Sequence, residues 1–341
     1  MHLKTTKAFL VLALWSLGLS TVTAQSQSKL AQVRSAEKVI CGVNANLPGF
    51  STSNSLDEYA GLDIDFCRAV AAAVLGDPSA TEFIPTSSSE RFDSLLAGEF
   101  DVLARNTTWT ISRQSLYGQF VGVNYYDGQG FMTNKRTGVR SALELDNKSL
   151  CIAEGTTTAL NAEDYFAVNR MRFRTVVYPD SSLAFAGYEN GECEAISTDR
   201  SALAAQRTTF DQPDAHVILP EIISKEPLGP MVADGQDQWF KIVKWTLNCM
   251  INAEEMGVTS ANVDNPSTAS TPAARRLLGL EGELGEQLGL DNAWCANIVR
   301  SVGNYGESYA RHLGVDTPIG LARGVNALWT DGGLMYAPPI R

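Results

Sequence analysis

The chain has 341 residues, with 27 Lys and Arg against 38 Asp and Glu, for a formal charge of −11. That length fits one large or two ordinary domains. The acidic balance disfavours nucleic acid and anionic lipid surfaces as partners, although a local arginine can still hold an anionic ligand.

The chain opens MHLKTTK, runs apolar from Ala8 to Leu19 and reaches Val22-Thr23-Ala24. Lys4 and Lys7 form a basic n-region, the apolar run is short for a membrane span, and the small residues suit a signal peptidase. Residues 1–24 therefore read as a secretory signal cleaved after Ala24. Removing them takes away two lysines and no acid, which moves the formal charge from −11 to −13. No later stretch is long and apolar enough to span a bilayer, so the mature protein is expected to be soluble. Six cysteines remain, Cys41, Cys67, Cys151, Cys193, Cys249 and Cys295. An even number in an exported chain points to pairing, with the connectivity left open by the residues alone. There is no Cys-x-x-Cys, and beyond the signal the histidines are His216 and His312. A zinc site is poorly supported, and no metal or cofactor is expected.

Residues 25–37 are polar and read as a frayed segment. Residues 38–43 read as a strand, followed over 44–53 by a loop holding Pro48-Gly49-Phe50. Phe50 either packs over a ligand or joins the core. In 61–74, GLDIDFCRAVAAAV, the residues Leu62, Phe66, Ala69, Val70, Ala73 and Val74 fall on one helical face, and Gly76 and Pro78 stop the helix. A strand over 81–84 and a short helix over 90–98 follow. The strand 100–103 then delivers 101–113, DVLARNTTWTISR. Its hydroxyl cluster, Thr107, Thr108 and Thr110, offers short donors, and Arg113 supplies a fork that matches a carboxylate. The alternative is a solvated turn with a surface arginine. Strands alternating with helices, each strand ending in a polar loop, predict an α/β unit with a crevice at the strand ends.

Residues 121–126 and 130–132, around Asp127-Gly128-Gln129, read as a crossing between two lobes, with glycines to absorb a rotation. The pattern then restarts: a helix-and-turn segment over 143–150, a strand over 149–153, and Gly155-Thr156-Thr157-Thr158 before a helix over 159–169. Glycine and threonines at a helix N-terminus make either an anion site or ordinary capping. A strand over 173–178 and a helix over 181–190 come next. A buried strand over 194–197 hands over to Asp199, which either holds an ammonium group or caps the helix 200–207. Residues 217–219 and 222–232 read as the second crossing. The longest helix spans 237–255, 259–272 is a Ser/Thr/Asn/Pro-rich loop, and the rest is helical with many glycines. No internal repeat is found.

The run Gly61-Leu62-Asp63-Ile64-Asp65-Phe66, followed by Val70-Ala71 and Val74, resembles the signature of the family 3 extracellular solute-binding proteins, the polar amino-acid receptors of ABC importers. Residues 106–113, 121–130 and 225–257, the last with PLGPMVADGQDQW, are similar to the general L-amino-acid-binding branch, which resembles receptors for glutamate, glutamine, aspartate and asparagine. The segment past about residue 259 is typical of that branch.

The resemblance implies a two-lobed α/β fold, the type II periplasmic binding protein, with two hinge crossings and a C-terminal helical extension. Lobe 1 would hold 25–127 and 224–341, and lobe 2 would hold 128–223. A ligand amino acid would be trapped between them and delivered to an inner-membrane ABC permease by a periplasmic monomer that is not an enzyme. Thr108, Thr110 and Arg113 would bind the α-carboxylate, Thr156 and Thr157 would meet it from lobe 2, and Asp199 would take the α-ammonium. Arg91 stands where acidic-amino-acid receptors carry an arginine and would reach the ligand side chain. Many relatives have a tyrosine where this chain has Leu47 and an aromatic near Ser88, so the usual aromatic clamp is missing or replaced. Placing the cysteines on these lobes predicts pairs 41–67, 151–193 and 249–295, each within one lobe. Periplasmic enzymes such as cyclohexadienyl dehydratases resemble the same fold and are the alternative from another class.

Overall fold

A computed structural model describes residues 27–56 and 58–341, so the expected signal peptide and its cleavage after Ala24 lie outside the described residues. Two five-stranded sheets form the frames of two lobes. In the first, Val39–Val43 lies between Thr81–Pro85 and Val102–Leu103, all parallel; Met231–Val232 pairs antiparallel with Val102–Leu103, and Gln119–Phe120 pairs antiparallel with Met231–Val232. The second repeats the plan. Lys148–Ala153 lies between Phe173–Tyr178 and Ala195–Asp199, with Gln129–Asn134 antiparallel to Ala195–Asp199 and His216–Ile218 antiparallel to Gln129–Asn134. In both, the strand order changes direction beside the central strand. The loops that leave the strand ends there border a crevice, the usual place for a ligand in an open α/β sheet.

The lobes are joined by a two-stranded antiparallel ribbon. Tyr125–Asp127 pairs with Glu226–Leu228, Asp127 opposite Glu226 and Tyr125 opposite Leu228. These are the two crossings, and they are shorter than the sequence suggests. Residues 130–132 already belong to the second sheet, as do 216–218, because their apolar side chains pack in that lobe's core. Two other expectations are corrected. Residues 29–36 form a helix, Lys29–Ala36, whose Leu30 and Val33 join the large core and whose Lys29 pairs with Asp101 at 3.0 Å. The segment expected to be helical over 143–150 holds only a 3₁₀ turn, Ala142–Glu144, before its strand. The loop 44–53 contains two short strands, Asn46–Leu47 and Ser51–Ser53, which form a small sheet with Tyr59–Ala60. Phe50 is core: it is 1% exposed and packs edge-on against Tyr125.

The extension is folded onto the first lobe. Helix Trp294–Val302 packs on Leu62–Leu75 and on Asp237–Glu255, and helix Tyr305–His312 packs beside it. Asp65 fastens the joint, accepting from Ser308 Oγ at 2.7 Å, His312 Nε2 at 2.8 Å and Arg311 at 2.5 Å. Burial pushes the Asp65 carboxyl up, yet His312 and Arg311 hold it below the usual range. The disulfides are 41–67, 151–193 and 249–295, with Cα atoms 6.4, 5.7 and 5.8 Å apart, and each joins elements of one lobe, as expected. No described helix is long and apolar enough to cross a membrane.

Candidate functional site

The loop leaving Val102–Leu103 is built tightly. Asn106 takes a positive φ of 35°, and its N–H donates to Asp63 Oδ2 at 2.9 Å. Asp63 also accepts from Asn124 Nδ2 at 3.0 Å, so one buried carboxylate ties the loop to the start of the hinge. Burial pushes Asp63 up to about 6, against the pull of these bonds and of Arg105. Helix Ile111–Tyr117 follows, capped by Thr110, whose hydroxyl accepts from Arg113 N at 3.2 Å. The Arg113 guanidinium donates to Thr108 O at 3.0 Å.

Arg91 comes from the first turn of Arg91–Ala97. Phe92 forms a platform for both guanidiniums, with their carbons 4.7 Å (Arg91) and 5.4 Å (Arg113) from its ring centre, and is itself stacked on Tyr117. Arg105 completes a group of three buried arginines, held by Nε donation to Thr86 O at 2.8 Å. Burial, then the neighbouring arginines, depress the basicity of Arg91 well below its usual value; burial brings Arg105 down to about 10 against the field of Asp63.

Lobe 2 meets this group with the turn before Thr158–Val168. Arg91 donates to Gly155 O at 3.2 Å and Arg113 to the same oxygen at 3.4 Å. Ser88 Oγ donates to Glu154 O at 2.7 Å. Thr156 Oγ1 donates to Ala153 O at 2.8 Å, and Thr157 Oγ1 to Glu226 Oε2 at 3.1 Å. Asp199 ends Ala195–Asp199 and occupies the N-cap position of the next helix without capping it. Its carboxylate accepts no hydrogen bond among the described residues. Burial, then Asp127 and Glu226, push it well above the usual range, against the pull of Arg113 and Arg91.

These residues enclose a polar cavity of about 30 Å³, bordered by Arg91, Arg105, Thr108, Arg113, Thr156, Thr157 and Asp199 together with Asn106, Thr158, Ser181 and Thr198. So small a volume means the lobes are drawn together, since it holds about one or two waters. Of the residues expected at the site, six border the cavity. Thr110 does not, because its hydroxyl is committed to capping the helix that carries Arg113. Arg105 and Glu226 escaped the sequence reading. The available signal for Arg105 was an arginine directly after a strand end, in the same loop as Thr107 and Thr108. For Glu226 it was a lone acid inside an apolar crossing. The glutamate is buried and accepts from Ser224 Oγ at 2.6 Å and Asn161 Nδ2 at 2.7 Å.

A larger groove of about 950 Å³ lies between the hinge, helix Arg200–Arg207 and the extension. Two of its three arginines are already used: Arg200 donates to Leu219 O, and Arg323 pairs with Glu254. The small cavity brings buried arginines together with the Asp199 carboxylate, and Arg91 Nε lacks any partner among the described residues. Such an arrangement suits a small zwitterion, since an unpaired buried charge costs several kcal/mol, about 3–5 where one partner is lost.

The model of the bacterial extracellular solute-binding proteins, family 3, matches residues 39–261. The general L-amino acid-binding periplasmic protein AapJ of Rhizobium johnstonii is 49% identical over 322 residues, covering 94% of each chain. The glutamate/glutamine/aspartate/asparagine-binding protein BztA of Rhodobacter capsulatus is 48% identical, over 93% of this chain and 95% of its own. An ABC transporter periplasmic binding protein from Brucella ovis, solved with glutathione bound, is 48% identical, covers 92% of this chain and 100% of its own, and superimposes with a TM-score of 0.90. With its signature run, its paired sheets and its inter-lobe cavity all in place, this chain belongs to the bacterial extracellular solute-binding proteins, family 3.

Proposed function

We propose that this chain captures polar L-amino acids, including glutamate, glutamine, aspartate and asparagine, and delivers them to an inner-membrane ABC permease. It is the substrate-binding component of an ABC amino-acid importer, and the relatives above are binding proteins rather than enzymes. The supporting observation is the disposition of charge. Arg113 and Arg91 in one lobe donate to the neutral Gly155 carbonyl in the other, while the Asp199 carboxylate accepts no hydrogen bond among the described residues. A carboxylate is a stronger acceptor than that carbonyl, because its hydrogen bonds are charge-assisted.

In this reading the α-carboxylate replaces Gly155 O on Arg113 and is met by Thr108, Thr156 and Thr157. The α-ammonium takes Asp199. Arg91 faces the ligand side chain, and Thr110 acts through the helix it caps. Lobe 1, residues 25–127 and 224–341, and lobe 2, residues 128–223, turn about the hinge ribbon. The ligand touches both lobes, so it shifts the population toward closure. The protein works as a monomer in the periplasm, exported by cleavage after Ala24, with no nucleic-acid partner.

Native mass spectrometry of purified protein, followed by calorimetry with the twenty amino acids and glutathione, tests the reading. An adduct of amino-acid mass and binding of the four named ligands are expected. Glutathione is included because the Brucella ovis relative was solved with it bound, and it also carries an α-amino-acid end. Binding of none of these would overturn the proposal. A dehydratase-like enzyme would instead turn over a bound substrate, which the same incubations reveal as a mass change.

A further inference from the structure

The charge count of the cavity exceeds what a simple zwitterion needs. Three buried guanidiniums, Arg91, Arg105 and Arg113, border it, while the bordering acid is Asp199. Taking the proposed function as given, the α-carboxylate matches one arginine and the ammonium matches Asp199. Two guanidiniums remain, and they repel each other: of the neighbouring charges, Arg105 depresses Arg91 the most.

Arg105 is the residue that tips this balance. Its side-chain hydrogen bond goes through Nε to the neutral Thr86 carbonyl, at 2.8 Å. Anchoring a guanidinium by Nε fixes its plane and leaves the two terminal nitrogens as a fork, the geometry that suits a carboxylate. It forms no ion pair within 4.0 Å among the described residues; Asp63, Asp180 and Asp199 act on it only as more distant charges. Across the cavity from lobe 1 stands Ser181, the first residue of Ser181–Glu189.

We propose that Arg105, with Arg91, forms a subsite for a second anionic group, so that the protein favours amino acids with a side-chain carboxylate over the matching amides. A second carboxylate relieves the repulsion between the two arginines. An amide satisfies their hydrogen bonds through its oxygen but leaves the like charges opposed. The preference is therefore for charge, and it belongs to Arg105 as much as to Arg91.

The test is calorimetry of the full-length mature protein and of Arg105→Gln and Arg105→Lys with glutamate and glutamine. Arg105→Gln is expected to weaken glutamate at least tenfold more than glutamine, and Arg105→Lys to keep part of the glutamate preference. A ratio of the two affinities that stays within twofold of the parent in Arg105→Gln overturns the inference, as does equal loss of both ligands. If the parent protein binds neither glutamate nor glutamine, the functional reading itself fails. The two failures are thus told apart by the parent protein alone.

Discussion

Asn326 holds both polar groups of the Tyr126 backbone: its Oδ1 accepts from Tyr126 N at 2.7 Å, and its Nδ2 donates to Tyr126 O at 2.9 Å. The next residue, Asp127, is held by the other lobe, accepting from Ser201 N at 3.1 Å and from the Ser201 hydroxyl. One hinge residue is thus fastened to the extension, and its neighbour to helix Arg200–Arg207. Tyr305 adds to the first grip by donating its hydroxyl to Asn124 O at 2.8 Å. The extension does not touch the cavity, yet it defines where the first crossing can bend.

Asn326→Ala should therefore act on the hinge and not on ligand choice. Two part-buried backbone groups lose their partners, a cost of about 1–3 kcal/mol in stability. With the crossing loosened, open states gain population, and every ligand should weaken by the same factor. Calorimetry with glutamate, glutamine and alanine reads this directly. Different factors for the three ligands would mean that the extension acts on the cavity itself.

Gly155→Ala should block closure. Gly155 sits at φ 70°, and a Cβ built there would stand 2.6 Å from Ser88 O in the other lobe. Neither backbone can yield cheaply, so the clash acts across the cleft in the closed state. The positive φ adds strain within lobe 2, of about 1 kcal/mol. Small-angle scattering with saturating glutamate should show a larger radius for the variant than for the parent. Equal compaction in both would show that the turn before Thr158–Val168 does not approach Ser88 on closing.

Much of this fold was legible because its elements carry strong periodic signals. The strand Phe173–Tyr178 and the helices Arg200–Arg207 and Asp237–Glu255 fall where their apolar spacing puts them. Lys29–Ala36 was not legible, since it offers only Leu30 and Val33 as buried apolar residues. The strands Asn46–Leu47 and Tyr59–Ala60 are too short for any alternation to register. At the site, Arg113 and Asp199 were visible as charges at the ends of apolar runs. Arg105 and Glu226 acquire meaning only from tertiary neighbours: Thr86 for the first, and Asn161 and Thr157 for the second.

Arg113→Ala and Asp199→Ala should weaken all amino-acid ligands together, because they face groups every amino acid carries. Losing one partner of a buried charge pair costs about 3–5 kcal/mol, roughly two to four decades of affinity. Arg91→Ala should instead weaken glutamate and glutamine while sparing alanine. Calorimetry on the three variants separates these roles, and unchanged relative affinities in Arg91→Ala would remove it from the side-chain subsite.

The Cys249–Cys295 bridge ties the longest helix to the extension across a sequence separation of 46 residues. Replacing both by alanine should cost about 2–5 kcal/mol of stability, chiefly by releasing the unfolded chain. The cavity lies outside the bridged elements, so ligand affinity measured well below the new melting temperature should hold. A loss of affinity larger than about tenfold at that temperature would show that the extension must be fastened for the hinge to work.

Binding should also depend on pH through Asp199. Burial and the nearby Asp127 and Glu226 raise its carboxyl well above the ordinary range, with Arg113 and Arg91 pulling the other way. Asp127 is itself pushed up to about 6 by burial, against its bonds from Ser201 and Gly128. The folded, ligand-free protein therefore keeps a proton on Asp199 at pH values where the unfolded chain has lost it. In that window the folded state binds more protons, so this group's contribution to stability falls as pH rises. A ligand ammonium needs the ionised form and must displace the proton. Affinity for glutamine, whose side chain does not titrate, should accordingly rise with pH from the ordinary carboxylate range up to the raised value and then level off. Calorimetry in buffers of different ionisation enthalpy should show proton release on binding within that window, and Asp199→Asn should abolish most of it. An affinity that is flat or falls across the window, with no proton released, would mean that the ammonium is bound elsewhere.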